Sequence, residues 1–190
     1  MNAVAGAFKK AKAEHRAVLV GYLPAGFPSV PGAIAAAIAR DLADAGGSGL
    51  ITPDLTPEEA GPWQEAAAEH GLDPVFLVAP SSSPERIKLI TSACGGFVYA
   101  ASLMGTTGTR DAVSDDADGL VRRVRECTSL PVAVGLGVRD RSQAAHVAGF
   151  ADGVIVGSAF VRCLLDAPDE AAGAAAVREL AADLAAGVRA

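Results

Sequence analysis

Aromatic residues make up only 5% of this chain, and histidine occurs three times in 190 residues. A core must therefore be built from small aliphatic side chains, and Ala, Val, Leu and Ile carry most of the 51% apolar content. The three cysteines, Cys94, Cys127 and Cys163, are widely separated and form no C-x-x-C pair. That spacing excludes a zinc ligand set and a disulfide framework, and predicts buried free thiols in a reducing compartment. Cations are outnumbered: 16 Lys and Arg stand against 22 Asp and Glu, for a net charge of −6. The basic patches that nucleic acid and anionic membranes require are not expected. No apolar run approaches the ~18 residues of a membrane span. The first ten residues place Lys9 and Lys10 after a short apolar stretch, which is not the order of a secretory signal. The expectation is a globular cytoplasmic protein, without metal, nucleic-acid partner or membrane, that holds any phosphate by backbone N–H groups.

What the chain does contain is a repeating alternation of short apolar runs and helical segments. Runs at Ala17–Leu23, Leu50–Asp54, Pro74–Val78, Phe97–Ala101, Pro131–Val134 and Gly153–Val156 read as strands buried on both faces. Helices are expected over residues 3–15, Pro31–Ala45, from Thr56, from Ser83, Ser114–Cys127, Asp140–Ala148 and Pro168–Ala186. Thr56-Pro57-Glu58-Glu59 combines a cap residue, a first-position proline and first-turn acids. Such alternation predicts right-handed βαβ units and a parallel sheet, about six units in one domain over residues 1–190. A barrel or an open sheet would place functional loops at the carboxyl ends of the strands.

Three of those ends carry glycine turns: Met104-Gly105-Thr106-Thr107-Gly108, Gly135-Leu136-Gly137 and Gly157-Ser158-Ala159. Glycine permits positive φ and lets backbone approach a ligand, and helix N-termini hold phosphate without side-chain cations. One such turn is ordinarily structural; three at successive strand ends point to a phosphate cup. Among the acids, Asp54 closes an apolar run and is a candidate for proton transfer, with turn formation as its plainer role. Glu58 and Glu59 read as helix-start acids. His15, His70 and His146 fall on expected helices away from strand ends.

The chain resembles the tryptophan synthase α-chain family. The matching stretches are Val20-Gly21-Tyr22-Leu23-Pro24-Ala25-Gly26-Phe27-Pro28, Leu50-Ile51-Thr52-Pro53-Asp54-Leu55-Thr56-Pro57-Glu58-Glu59 and Pro74-Val75-Phe76-Leu77-Val78-Ala79-Pro80. Gly96-Phe97-Val98-Tyr99, Gly135-Leu136-Gly137-Val138 and the other glycine turns continue the match in order. The resemblance implies a TIM-barrel-derived parallel (βα) fold that cleaves indole-3-glycerol phosphate to indole and glyceraldehyde 3-phosphate in tryptophan biosynthesis. It implies no cofactor on this chain; pyridoxal phosphate belongs to a partner β chain that receives the indole. By position, Gly108, Gly135, Gly137, Gly157 and Ser158 would meet the phosphate. Tyr22, Tyr99 and Leu136 would line the pocket, with Thr107 in a loop over it. Tyr99 and Asp54 are the remaining candidates for catalysis.

Members of that family carry a catalytic Glu at the end of the second strand and an Asp in the loop that follows. No such segment is present here. After Ile34–Arg40, which resembles the first helix of the family, Asp41–Gly47 resembles the end of the third. Strand 2, helix 2 and strand 3 are absent, with the join near Arg40-Asp41. An eight-unit barrel takes about 250 residues, so the shortfall is about two units. The expected product is a shortened barrel or open sheet of about six strands, with strand 1 paired to the Leu50–Asp54 strand.

Overall fold

The computed structural model describes residues 3–21, 35–101, 110–135 and 137–190. Helix α1 (Ala3–Ala13) precedes strand β1 (Val18–Gly21), and α2 (Ala35–Asp44) leads into β2 (Gly49–Ile51). There follow α3 (Gly61–Glu69), β3 (Asp73–Val75), β4 (Leu77–Val78), α4 (Pro84–Ala93) and β5 (Val98–Ala101). The chain continues through α5 (Arg110–Arg125), β6 (Val132–Gly135), α6 (Arg141–Ala148), β7 (Gly153–Val156), α7 (Ser158–Leu165) and α8 (Glu170–Gly187).

Every pairing is parallel. One sheet runs β1-β7-β6-β5-β4 and the second joins β2 to β3. β3 and β4 belong to one extended stretch interrupted at Phe76, whose N–H is directed to the Cys94 thiol rather than to a neighbouring strand. The expected Pro74–Val78 strand is thus divided between two neighbours, and the strand order follows the chain from β2 to β7 before returning to β1. First-to-last pairing is how a (βα) barrel closes on one side. On the other side the expected pairing of β1 with β2 is not made among the described residues. Helix α2 packs against α3, so it sits with the unit that follows it and does not carry β2 to β1.

Strand alternation sorts the core into two layers. Val98, Ala100, Val132, Val134, Val154 and Val156 face the helices, where they meet Leu120, Val121 and Val124 of α5 and Leu184 of α8. Val75, Phe97, Ala133 and Ile155 face the concave interior, where Phe8 of α1 joins them. The Phe8 and Phe97 rings pack with centroids 5.5 Å apart, tilted by 33°. A Cβ on Gly153 would lie 3.1 Å from the Phe8 ring, so glycine makes room for α1 to plug the amino-terminal end of the interior.

Local chemistry explains the other departures. β2 stops at Ile51 because Pro53 has no N–H, and the Leu55 N–H turns back to the Thr52 carbonyl at 3.4 Å. Thr56–Glu59 forms a turn rather than the start of a helix: the Thr56 hydroxyl donates to Glu59, and α3 begins at Gly61. The cysteines are free but half-buried rather than fully enclosed. His15 lies beyond α1 with φ of 49°, not on the helix. Ser83, Asp140 and Asp169 cap α4, α6 and α8, each accepting a hydrogen bond from the third residue on.

Candidate functional site

Because all the strands run in one direction, their carboxyl ends share one face. Ala101 of β5 stands opposite Gly135 of β6, and Gly21 of β1 opposite Val156 of β7. Strands β6 and β7 are direct neighbours through Ala133–Gly153 and Val134–Val154. The turns after β6 and β7 are therefore adjacent in space, as the sequence pattern requires for a shared ligand. Gly137 adopts φ of 66°, a left-handed conformation that only glycine takes without strain.

Gly157 is buried and occupies the N-cap of α7 without a side-chain hydrogen bond to the helix. Its carbonyl accepts from the Val161 N–H at 3.1 Å, which starts the helical ladder. The N–H groups of Ser158, Ala159 and Phe160 precede that ladder and point out of the helix end, with the positive end of the helix dipole behind them. Ser158 is exposed at this position. The sequence reading placed a turn here and missed the helix. Its signal is the apolar set Phe160, Val161, Leu164 and Leu165, spaced for one helical face.

Tyr99 packs against the interior cluster from β5. Its phenol lies across Gly135, where a Cβ would collide with the hydroxyl. Gly135 thus has a structural task, admitting the Tyr99 ring, besides any approach to a ligand. Asp54 is exposed in the turn after β2, three residues beyond the last strand residue Ile51 rather than within the strand. No described contact joins it to Tyr99. Tyr22, Thr107, Gly108 and Leu136 lie outside the described residues.

Two polar clamps brace the same face. Arg86 of α4 pairs with Glu58 in the β2–α3 turn, and this hydrogen bond holds the Glu58 carboxyl below its ordinary pKa. Arg123 of α5 donates to the Pro80 carbonyl at 2.9 Å and to the Ser82 carbonyl, fixing the β4–α4 loop. Sequence reasoning identified neither, because both join residues far apart in the chain.

A cleft of about 640 Å³ opens at the opposite end of the strands, among Phe8, Lys12, Arg16, Arg125, Asp152 and Val188. Its charges are largely committed. Asp152 accepts from the Val132 N–H at 2.9 Å and pairs with Arg125 at 3.1 Å, and Arg16 pairs with Glu14 at 2.7 Å. Helices α1, α5, α6 and α8 end around this cleft, and cations there offset the negative ends of their dipoles. The described residues contain no cluster of metal-ligating side chains and no helix long and apolar enough to cross a membrane.

A parallel (βα) sheet with glycine turns gathered at its carboxyl end defines a protein of the TIM-barrel class. The family profile described as tryptophan synthase alpha chain matches residues 35–189, and the chain belongs to that family. It is 63% identical over 149 residues to the tryptophan synthase alpha chain of Streptomyces avermitilis, covering 78% of this chain and 54% of that one. The alpha chain of Acidothermus cellulolyticus is 45% identical over 263 positions, covering 100% of this chain and 98% of the relative. A ligand-free crystal structure of tryptophan synthase from M. tuberculosis superposes with a TM-score of 0.82 at 36% identity, covering 100% of both chains. The chain thus spans about half the length of the curated relatives that match it most strongly. Where the match extends end to end, the relative's additional residues are internal.

Proposed function

We propose that this chain retains the phosphate-binding half of an indole-3-glycerol phosphate site and has lost the acid–base half. The observation that supports it is the adjacency of the β6 and β7 turns. The left-handed Gly137 and the uncapped N-terminus of α7 at Gly157 and Ser158 sit on neighbouring parallel strands. Backbone N–H groups there suit a phosphate ester on a chain whose net charge is −6. Tyr99 lies close by as a pocket wall, and Gly108, Thr107, Tyr22 and Leu136 complete the site by position in the family.

The family reaction is a retro-aldol cleavage to indole and glyceraldehyde 3-phosphate. It needs a proton delivered to the indole ring carbon and another removed from a glycerol hydroxyl. General acid–base groups contribute about 10²–10⁴-fold each. The absent segment is where the family carries its Glu and Asp, and Asp54, the remaining acidic candidate, is exposed. The chain then binds phosphate esters as a remnant of the enzyme without normal turnover. Docking to a β chain is weakened for the same reason, since the absent loop contributes to that contact in the family.

Calorimetric titration with glyceraldehyde 3-phosphate, alongside an assay of indole release, tests both halves. Binding without turnover is expected. Absence of phosphate-ester binding refutes the retained cup, and turnover comparable to the Acidothermus cellulolyticus relative refutes the lost acid–base half.

A further inference from the structure

On the family membership alone, and independently of the phosphate cup, we propose that the opening between β1 and β2 is a docking surface. Its occupant is a parallel two-unit βα segment supplied in trans by another chain. Three observations converge on that occupant.

First, β1 and β2 each have a described strand partner on one side only, β7 and β3 respectively. The Val18 N–H is directed to the Asp152 carbonyl and the Thr52 N–H to the Val75 carbonyl. Strand alternation then turns the N–H groups of Leu19 and Ile51 toward the opening. Neither strand carries a charge or a proline, the usual devices that blunt an edge.

Second, apolar burial fails on these two strands and nowhere else in the parallel core to the same degree. Val18, Leu19, Val20, Leu50 and Ile51 are only half-buried, whereas all four residues of β7 are buried. Third, the length of the missing piece fits. The end-to-end alignment with the Acidothermus cellulolyticus chain runs over 263 positions against 190 residues here, a difference of about 70 positions, or two βα units. The superposition on the M. tuberculosis structure takes in the whole of this chain. Among the described residues, β1 and β2 do not pair with one another, so each keeps an edge open to a further strand.

The probe is the internal segment of the Acidothermus cellulolyticus alpha chain that has no counterpart in this chain, tagged and co-expressed with the full 190-residue chain. The expected result is a 1:1 complex by native mass spectrometry. Exchange of the Leu19 and Ile51 amides slows at least about tenfold in that complex, while the β6 amides do not change. Val20→Lys and Ile51→Lys should each abolish the complex. A soluble segment that leaves the chain uncomplexed overturns the proposal. Amide exchange on the chain alone provides a test that does not depend on the segment. Fast exchange at Leu19 and Ile51 is expected, and protection equal to that of Val134 shows the opening already filled and overturns it. A homodimer that protects those same amides also overturns it, by naming a second copy as the occupant. Because these readouts involve no phosphate ester, their failure is separable from failure of the phosphate cup.

Discussion

The two flanks of the sheet are built from similar residues and reach different ends. On the β6–β7 flank, every residue of β7 and all but the last of β6 are buried, and helices with satisfied caps cover the outer face. On the β1–β2 flank, comparable aliphatic side chains are half-buried. Among the described residues, Thr52 Oγ1 and Trp63 Nε1 are buried there without a hydrogen-bond partner. Sequence composition does not distinguish these flanks; the number of neighbours that each strand finds does. β6 and β7, with parallel partners on both sides, are buried at all but Gly135, and β2, with one described partner, is fully buried at no residue. The turns after β6 and β7 sit on the better-buried flank, which is where the proposed phosphate site lies.

The largest effect should separate the flanks by stability. Val134→Asp puts a charge at a fully buried position between sheet and helices and should cost about 4 kcal/mol or more, leaving the chain largely unfolded in urea titration. Val20→Asp on β1 should cost no more than about 2 kcal/mol, since its side chain already meets solvent. Equal costs would erase the contrast.

Binding comes next. Gly157→Asp places a carboxylate at the N-cap of α7, where it would accept from the N–H groups assigned to phosphate in the proposed site and repel the anion. Affinity for glyceraldehyde 3-phosphate should fall at least about tenfold while Tm holds within about 4 °C. Unchanged affinity would remove α7 from the cup.

A smaller effect concerns Cys94, at the edge of the β3–β4 stretch. Burial pushes its thiol up to about 11 from the ordinary 9.0. The folded state therefore holds a proton that the unfolded state releases, and stability falls as pH rises from about 9 to about 11, by up to ~2 kcal/mol. Cys94→Ala should flatten that alkaline slope relative to the parent chain in urea titrations at each pH. The smallest effect is at Glu58, whose carboxyl is held down by Arg86. The pair's contribution is complete above the ordinary carboxylate value of 4.5 and is lost as pH falls through the depressed one. The Tm difference between parent and Glu58→Gln should shrink toward zero in acid.

Much of the fold was legible because strand and helix periods are strong in this chain. Gly153–Val156 and the Asp140 cap fell where the pattern put them, and the family followed from ordered motifs rather than from any one glycine. Local capping chemistry misled at Thr56–Glu59, where the same residues close a turn and Pro62 lies within the first turn of the helix that starts later. The partners of β1 and β2 were not legible. Nothing local in Val18–Gly21 or Gly49–Ile51 states which edge finds a partner, because that depends on units absent from the chain. The site divided in the same way. The turns could be named from sequence, but the Tyr99 phenol over Gly135 and the Arg123 clamp on the β4–α4 loop are products of packing.

Equilibrium dialysis of the purified chain against indole-3-glycerol phosphate, with chemical analysis of the recovered ligand, tests retained binding with lost cleavage most directly. One equivalent bound per chain and recovered intact is the expected result. Recovery as indole and glyceraldehyde 3-phosphate, or no bound ligand, would contradict it.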